Sequence, residues 1–175
     1  MTPHRRRRLV VALLLLALPL GACGGASDEK PASQRLPAVT LDSLDGGDPV
    51  DLSTLRGPLV INLWAAYCGP CRRELPIYAQ FADKYAGQVD VVGIDWNDPQ
   101  AQAARDLARR SGVDYPLYAD LDLDINGQGP IPAIRGLPAI MLVDDHGDLV
   151  HFDYVEMKSL DQLVTLVNDN LGTSL

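Results

Sequence analysis

Histidine and cysteine are scarce in this chain of 175 residues, three of each. A closed structural zinc site takes four ligands, two cysteine pairs or one pair plus two histidines. One close pair exists, Cys68 and Cys71; His4 sits at the extreme N-terminus, and His146 and His151 flank a turn far along the chain. That supply does not close a metal site. Long apolar runs are missing too. The stretch Leu9 to Leu20 is too short to cross a bilayer core as a helix, which takes about 20 residues. Cations are few: 15 Lys and Arg stand against 23 Asp and Glu, for a formal net charge of −8. Nucleic acid as a partner needs a positive footprint, so this balance argues against it. No internal repeat is visible, which leaves one domain as the expectation for this length.

The first residues have an order of their own. A basic run, Arg5 to Arg8, precedes the apolar stretch, and small residues Gly21 and Ala22 precede Cys23. Charged, apolar, then small is the order of a secretory signal. "LGAC", residues 20–23, resembles the lipobox of bacterial lipoproteins, which implies lipidation of Cys23 and removal of residues 1–22. Four arginines and no acid leave with that segment, so the formal net charge moves from −8 to −12. Residues 23–35, "CGGASDEKPASQR", are polar and rich in Gly, Ser and Pro, the composition of a flexible tether. Two acyl chains hold a protein stably at a membrane where one does not. The expected location is therefore extracytoplasmic, at the outer face of the cell membrane or in a periplasm.

The remainder, residues 36–175, reads as alternating strands and helices. "VTLDSLDGGDPVDLSTLRGP" predicts a small hairpin and then a helical turn at Ser53–Arg56. "LVINLWAAY" begins as an unbroken apolar run, the pattern of a strand buried on both faces. "GPCRRELPIYAQFADKYAG" carries Leu75, Tyr78, Phe81, Ala82 and Tyr85 at helical spacing, with Pro76 as an expected kink and Gly87 as the stop. "QVDVVGIDW" is a second buried strand. A helix follows, with Asp98 expected as N-cap and Pro99 in its first turn. "DYPLYAD" predicts a short strand and "AIMLVDDHGDLVHFDYV" a hairpin. "SLDQLVTLVNDNLG" predicts an amphipathic helix capped by Ser159, with Leu160, Leu163, Val164 and Val167 on one stripe.

"WAAYCGPCRRELP", residues 64–76, places Cys68 where a buried strand ends and Cys71 one helical turn on. An inert crosslink gains by closing a long loop, and two intervening residues close almost none. A reactive pair gains from the site itself. Amides at a helix N-terminus carry partial positive charge and favour thiolate over thiol. Lowering a thiol pKa from about 8.5 to about 7 takes roughly 2 kcal/mol, within reach of such a position. Pro70 suits a first helical turn. Cys68, the outer member, is the expected nucleophile, and Cys71 the resolving thiol.

These segments resemble the thioredoxin superfamily, and within it the membrane-tethered TlpA/ResA/DsbE-type thiol–disulfide oxidoreductases. "WAAYCGPCRRELP" is similar to that family's active-site segment, and "GLPAIMLVDDHGDLV" to its second signature, a cis-proline followed by a hairpin. The resemblance covers roughly residues 36–172. It implies an α/β thioredoxin fold: a central mixed β-sheet flanked by helices, with an N-terminal β-hairpin and a central insertion. It implies a Cys68–Cys71 redox disulfide. Trp64 would pack beside the site, and Tyr67, Gly69 and Pro70 would face the partner around the pair. Pro138 would be cis, and Leu137 would offer backbone hydrogen bonds to an extended substrate. Glu74 would be a buried acid that moves protons for the pair; read without the family, it is a helix-surface glutamate answering the helix dipole.

The chain departs from the pattern at several places. Asn62 stands where thioredoxin keeps a buried aspartate, and cannot titrate, which passes a proton-accepting role to Glu74. Tyr67 replaces a tryptophan, and Leu137 replaces the usual threonine or β-branched residue before the proline. The loop "INGQGPIPAIRG", residues 125–136, is longer and more proline-rich than the family norm. The function implied is exchange of the Cys68–Cys71 dithiol with protein disulfides, with no cofactor, by a monomer. The Gly-Pro dipeptide leans toward reduction, with apocytochrome c as a candidate substrate and a CcdA/DsbD-type membrane protein as electron donor. The alternatives are an oxidase or isomerase of secreted proteins, a thiol peroxidase, and a tethered binding module without chemistry. Ala65, three residues before Cys68, stands where a peroxidase would need threonine.

Overall fold

A computed structural model describes residues 34–175. The segment read as a signal, the lipidation site at Cys23 and nearly all of the tether lie outside the described residues. Seven strands form one mixed sheet, in the order β2-β1-β5-β4-β3-β6-β7. The chain makes β1 (Thr40–Ser43) and β2 (Val50–Asp51), an antiparallel pair, then a 3-10 turn at Leu52–Thr54. It continues through β3 (Leu59–Trp64), α1 (Gly69–Lys84), β4 (Asp90–Trp96), α2 (Ala101–Arg110) and β5 (Leu117–Asp120). The hairpin β6 (Ala139–Val143) and β7 (Leu149–Asp153) and helix α3 (Leu160–Leu171) complete it. The expected thioredoxin fold is present.

The run "LVINLW" is buried at every position because β3 is central, parallel to β4 on one side and antiparallel to β6 on the other. Its alternate residues serve two cores. Val60 and Trp64 join a core with residues of α1, α2 and α3. Leu59, Ile61 and Leu63 face a second core, to which no α-helix contributes a buried residue. That second face is covered by the proline-rich loop, through Ile125, Ile131 and Ile134, and by Leu36 and Leu52. The loop is tied down at its start, where Asp120 accepts from the Asp124 and Ile125 N–H groups at 2.7 and 3.4 Å. Asn126 Oδ1 then accepts from Ile134 N–H at 2.7 Å.

Two local expectations move. The short helical turn begins at Leu52 rather than Ser53, because Asp51 accepts from both the backbone N–H and the hydroxyl of Ser53. Asp98 does not cap α2; the N-cap residue is Gln100, and its side chain makes no capping bond. The Asp98 carboxylate is turned inward instead and accepts from Gln100 N–H and from Ala66 N–H. Helix α1 runs on through Pro76 to Lys84. Ser159 caps α3 as expected, accepting from Gln162 N–H at 3.2 Å, and Gly172 closes it in the left-handed conformation (φ 66°).

Gly93 shows how tightly β4 fits beneath the helices. A Cβ there would stand 2.5 Å from Leu117 Cδ2, 3.1 Å from Trp64 Nε1 and 3.2 Å from Tyr115 Cε2. Overpacking of this kind costs about 1–3 kcal/mol. Gly93→Ala is expected to lower the urea midpoint by that amount of stability; an unchanged midpoint would mean the contact relaxes freely.

Candidate active site

Cys68 ends the β3–α1 connection and caps α1. Its backbone is extended, and its Sγ accepts from Cys71 N–H at 3.2 Å. The sulfur therefore lies on the positive end of a helix of 16 residues. Cys68 and Cys71 form a disulfide with Cα atoms 5.3 Å apart. Cys68 is 5% exposed and Cys71 fully buried, so the outer sulfur is the accessible one. Gly69 and Pro70 make the first turn. Tyr67 is 49% exposed beside the pair, and Trp64 lies fully buried in the same core.

The Leu137–Pro138 peptide is cis, as the second signature implies; Gly57–Pro58 is cis as well, which nothing in the sequence marked. Leu137 and Pro138 line a shallow groove of about 260 Å³ with Arg135, Gly136, Tyr154, Val155 and Glu156. The Tyr154 hydroxyl accepts from Arg135 N–H at 2.9 Å and donates to the Ala133 carbonyl at 3.2 Å, fixing the loop before the proline. Arg73 Nε bonds Glu156 at 2.8 Å, linking α1 to the segment after β7. Tyr154, Glu156 and Arg73 were not singled out from the sequence. Tyr154 stands at the end of the hairpin's second strand, and only the fold brings it to the proline loop.

Glu74 is fully buried, which removes the helix-surface reading. Its Oε2 accepts from Met157 N–H at 2.8 Å, and Oε1 has no partner among the described residues. Burial pushes its carboxyl up to about 8, opposed by the Met157 bond and assisted by nearby Glu156. At neutral pH it can both hold and release a proton. Tyr78 and Tyr115, buried near it, are pushed up as well, foremost by burial. Asn62 lies beside the Tyr115 hydroxyl. Asp95 and Asp98, both buried, lie near the Tyr67 side of the pair. The sequence reading gave neither of them a place at the site, because a carboxylate at a strand end looks like a cap or a solvated turn. Among the described residues no cluster of His, Cys, Asp and Glu could hold a metal ion.

A buried disulfide at a helix N-terminus, in a core against which Leu137 of the cis peptide packs and one helical turn before a titratable acid, is fitted for exchange with another disulfide or dithiol. The model of the AhpC/TSA family matches residues 32–152. The chain belongs to this family. Within it the relatives are thioredoxin-like. The chain is 31% identical over 122 residues to "Thiol-disulfide oxidoreductase ResA" of Halalkalibacterium halodurans, covering 68% of this chain and 66% of that one. Among solved structures, MTB DsbF shares 26% identity at a TM-score of 0.66, covering 79% of this chain and 98% of that one. A secreted Mycobacterium tuberculosis disulfide oxidoreductase homologous to E. coli DsbE shares the fold at a TM-score of 0.61 and 23% identity, covering 75% and 96%. In both sequence and structure, this AhpC/TSA member sits among thiol–disulfide oxidoreductases of the TlpA/ResA/DsbE type.

Proposed function

We infer that the protein, a thiol–disulfide oxidoreductase, reduces disulfides of partner proteins on the outer side of a membrane, to which a lipid on Cys23 anchors it. The observation that carries this is the Cys68 sulfur at the mouth of α1, receiving the Cys71 N–H and bonded to Cys71. In the reduced form the Cys68 thiolate attacks one sulfur of a partner disulfide. A mixed disulfide forms, and the partner's other sulfur leaves as thiolate. Cys71 then loses its proton and attacks the Cys68 sulfur, which releases the partner as a dithiol and leaves Cys68–Cys71 oxidised. Glu74 accepts the Cys71 proton and returns it as the released thiolate is protonated. The two electrons come from the chain's own cysteines, one proton comes from Cys71 through Glu74, and the second comes from solvent, which took the Cys68 proton, so no cofactor enters.

The partner lies in the groove at Leu137 and Pro138, in extended form, with Tyr67, Gly69 and Pro70 on one side and Trp64 beneath. Apocytochrome c is the favoured substrate, its two cysteines held reduced before haem attachment. A CcdA/DsbD-type membrane protein is the favoured source of electrons. Residues 1–22 serve as the signal and 23–35 as the tether of a domain spanning 36–175, which acts as a monomer. The direction of electron flow is tested by the reduction potential of the Cys68–Cys71 couple, equilibrated against glutathione or thioredoxin. A value near thioredoxin's, about −270 mV, is expected. A value near that of DsbA, about −120 mV, would overturn reduction and favour an oxidase of secreted proteins.

A further inference from the structure

Asn62 cannot titrate, yet the sheet face beneath Cys68 still carries acid. On β3 and β4 the residues of the helix-side core, such as Val60, Trp64 and Val91, alternate with those of the second core. Asp95 falls on the helix side, directly across the register from Trp64. Asp98 reaches the same place from the loop after β4. Its Oδ2 accepts from Ala66 N–H at 2.6 Å and its Oδ1 from Gln100 N–H at 2.8 Å. Both aspartates are fully buried. Neither oxygen of Asp95 meets a donor among the described residues. Asp98 is close enough to bond it, but two carboxylates without a hydrogen between them cannot bond. One shared proton satisfies both. Asp98 already accepts two N–H bonds and Asp95 none, so the proton belongs on Asp95. Burial, with the neighbouring Asp98 charge, pushes the Asp95 carboxyl up to about 8.

We propose that Asp95 and Asp98 form a proton-sharing carboxyl pair, a positioning device beneath the Cys68 turn that sets how readily the Cys68 sulfur ionises. The role builds on the exchange chemistry above and is separate from that of Glu74. The connection to the sulfur is short. Asp98 holds Ala66 N–H; the Ala66 carbonyl is taken by Arg72 Nη1 at 3.0 Å; the Ala65 carbonyl accepts from Cys68 N–H at 3.1 Å. With its proton the pair carries one negative charge. Without it the pair carries two, in a buried place, and a second charge there disfavours a thiolate above it.

The groups around the pair offer little to offset that charge. The β3–α1 turn brings Tyr67, whose hydroxyl is pushed up by burial, then by Asp98 and Asp95. Helix α1 brings Cys71 and the Arg72 guanidinium, which keeps its charge while donating to the Ala66 carbonyl but is exposed, so solvent screens it. Ala119 is the neighbour of Asp95 on β5, and Trp64 its neighbour on β3. From α2 come the apolar Ala104 and Leu107, while Arg105 bonds the Leu44 carbonyl. Glu74 couples to Tyr78 and Tyr115, a separate group. Cys68 ionisation should therefore be held back as pH rises through the titration of Asp95.

The test is the alkylation rate of Cys68 in the reduced protein across pH 5–10, with insulin reduction measured alongside. The wild type should depart from a single titration, with a second inflection near pH 8. Asp95→Asn, whose amide can still donate to Asp98, should follow one titration with no second inflection. Glu74→Gln should keep the inflection. The same two-step profile in Asp95→Asn would overturn the pair. If that variant does not fold, the wild-type carboxyl signals of aspartate are followed by carbon NMR. An Asp95 carboxyl titrating above pH 7 supports the pair, and one titrating in the ordinary carboxylate range overturns it. Absence of insulin reduction by the wild type would instead overturn the exchange chemistry itself.

Discussion

Cys68→Ala should abolish disulfide reduction, bringing insulin turbidity assays to the rate of dithiothreitol alone. Cys71→Ala should fail differently. Cys68 is the more accessible of the two sulfurs and the one at the helix N-terminus, so attack still occurs without its neighbour. Resolution does not, and the protein should accumulate as a mixed disulfide with its partner, visible as a dithiothreitol-sensitive band on a gel. A binding module built on the same groove would behave otherwise, with Cys68→Ala leaving its activity intact. Trapping by Cys68→Ala and not by Cys71→Ala would reverse the roles given to the two sulfurs.

The second large effect concerns Glu74 and stability. A carboxyl raised from 4.5 to about 8 on folding binds its proton more tightly in the folded state than in the unfolded chain. Between those two pH values the folded protein therefore holds more protons, and stability falls as pH rises. The contribution is fully present below about pH 4.5 and lost by the time pH passes 8. At about 1.4 kcal/mol per pKa unit, with allowance for relaxation, Glu74 accounts for about 2–4 kcal/mol across that window. Asp95, raised to about 8, and Asp120, also raised, act in the same direction. Glu74→Gln keeps an oxygen to accept from Met157 N–H and removes the titration. It should be more stable than wild type at pH 8 by about 2–4 kcal/mol in urea unfolding of the oxidised protein, with the difference shrinking toward pH 5. It should also slow the resolving step about 10²- to 10⁴-fold, the usual scale for losing a proton-transfer group. A variant less stable than wild type at pH 8 would mean that Glu74 is buried as a charged group.

Much of the fold was legible because its signals are local and strong. An apolar run such as "LVINLW" can only be central, and the stripe Leu160, Leu163, Val164, Val167 can only be an amphipathic helix. The cysteine pair was legible for the same reason, since spacing and a strand–helix junction lie within a few residues. The acids were less so. Glu74 could be read from its own surroundings as a surface group, and only packing against the Met157 segment makes it a buried one. Asp98 followed by Pro99 carries the local pattern of a helix cap, yet a contact with Ala66, 32 residues earlier, draws its carboxylate inward. Asp95 looked like one polar residue in an apolar strand. Its meaning depends on which face of the sheet it takes and on what a loop places beside it. The one-sided arrangement of helices, with a proline-rich loop sealing the other face, was equally hidden, because periodicity says that a residue is buried and not against what.

The point at which the N-terminal arm joins the domain has a consequence for how the molecule is presented. Leu149 N–H donates to the Gln34 carbonyl at 2.8 Å, and Arg35 bridges to Asp148, so the arm arrives at the bend between the last two strands. Pro138 and the sulfurs lie at the other end of β6, about 17 Å away at the usual rise of a strand. The chain thus enters the domain at the end of the sheet opposite the cysteine pair, and the surface around Pro138 is left clear of that entry. A protein bound along Leu137 and Pro138 would therefore not compete with Gln34 and Arg35 for room.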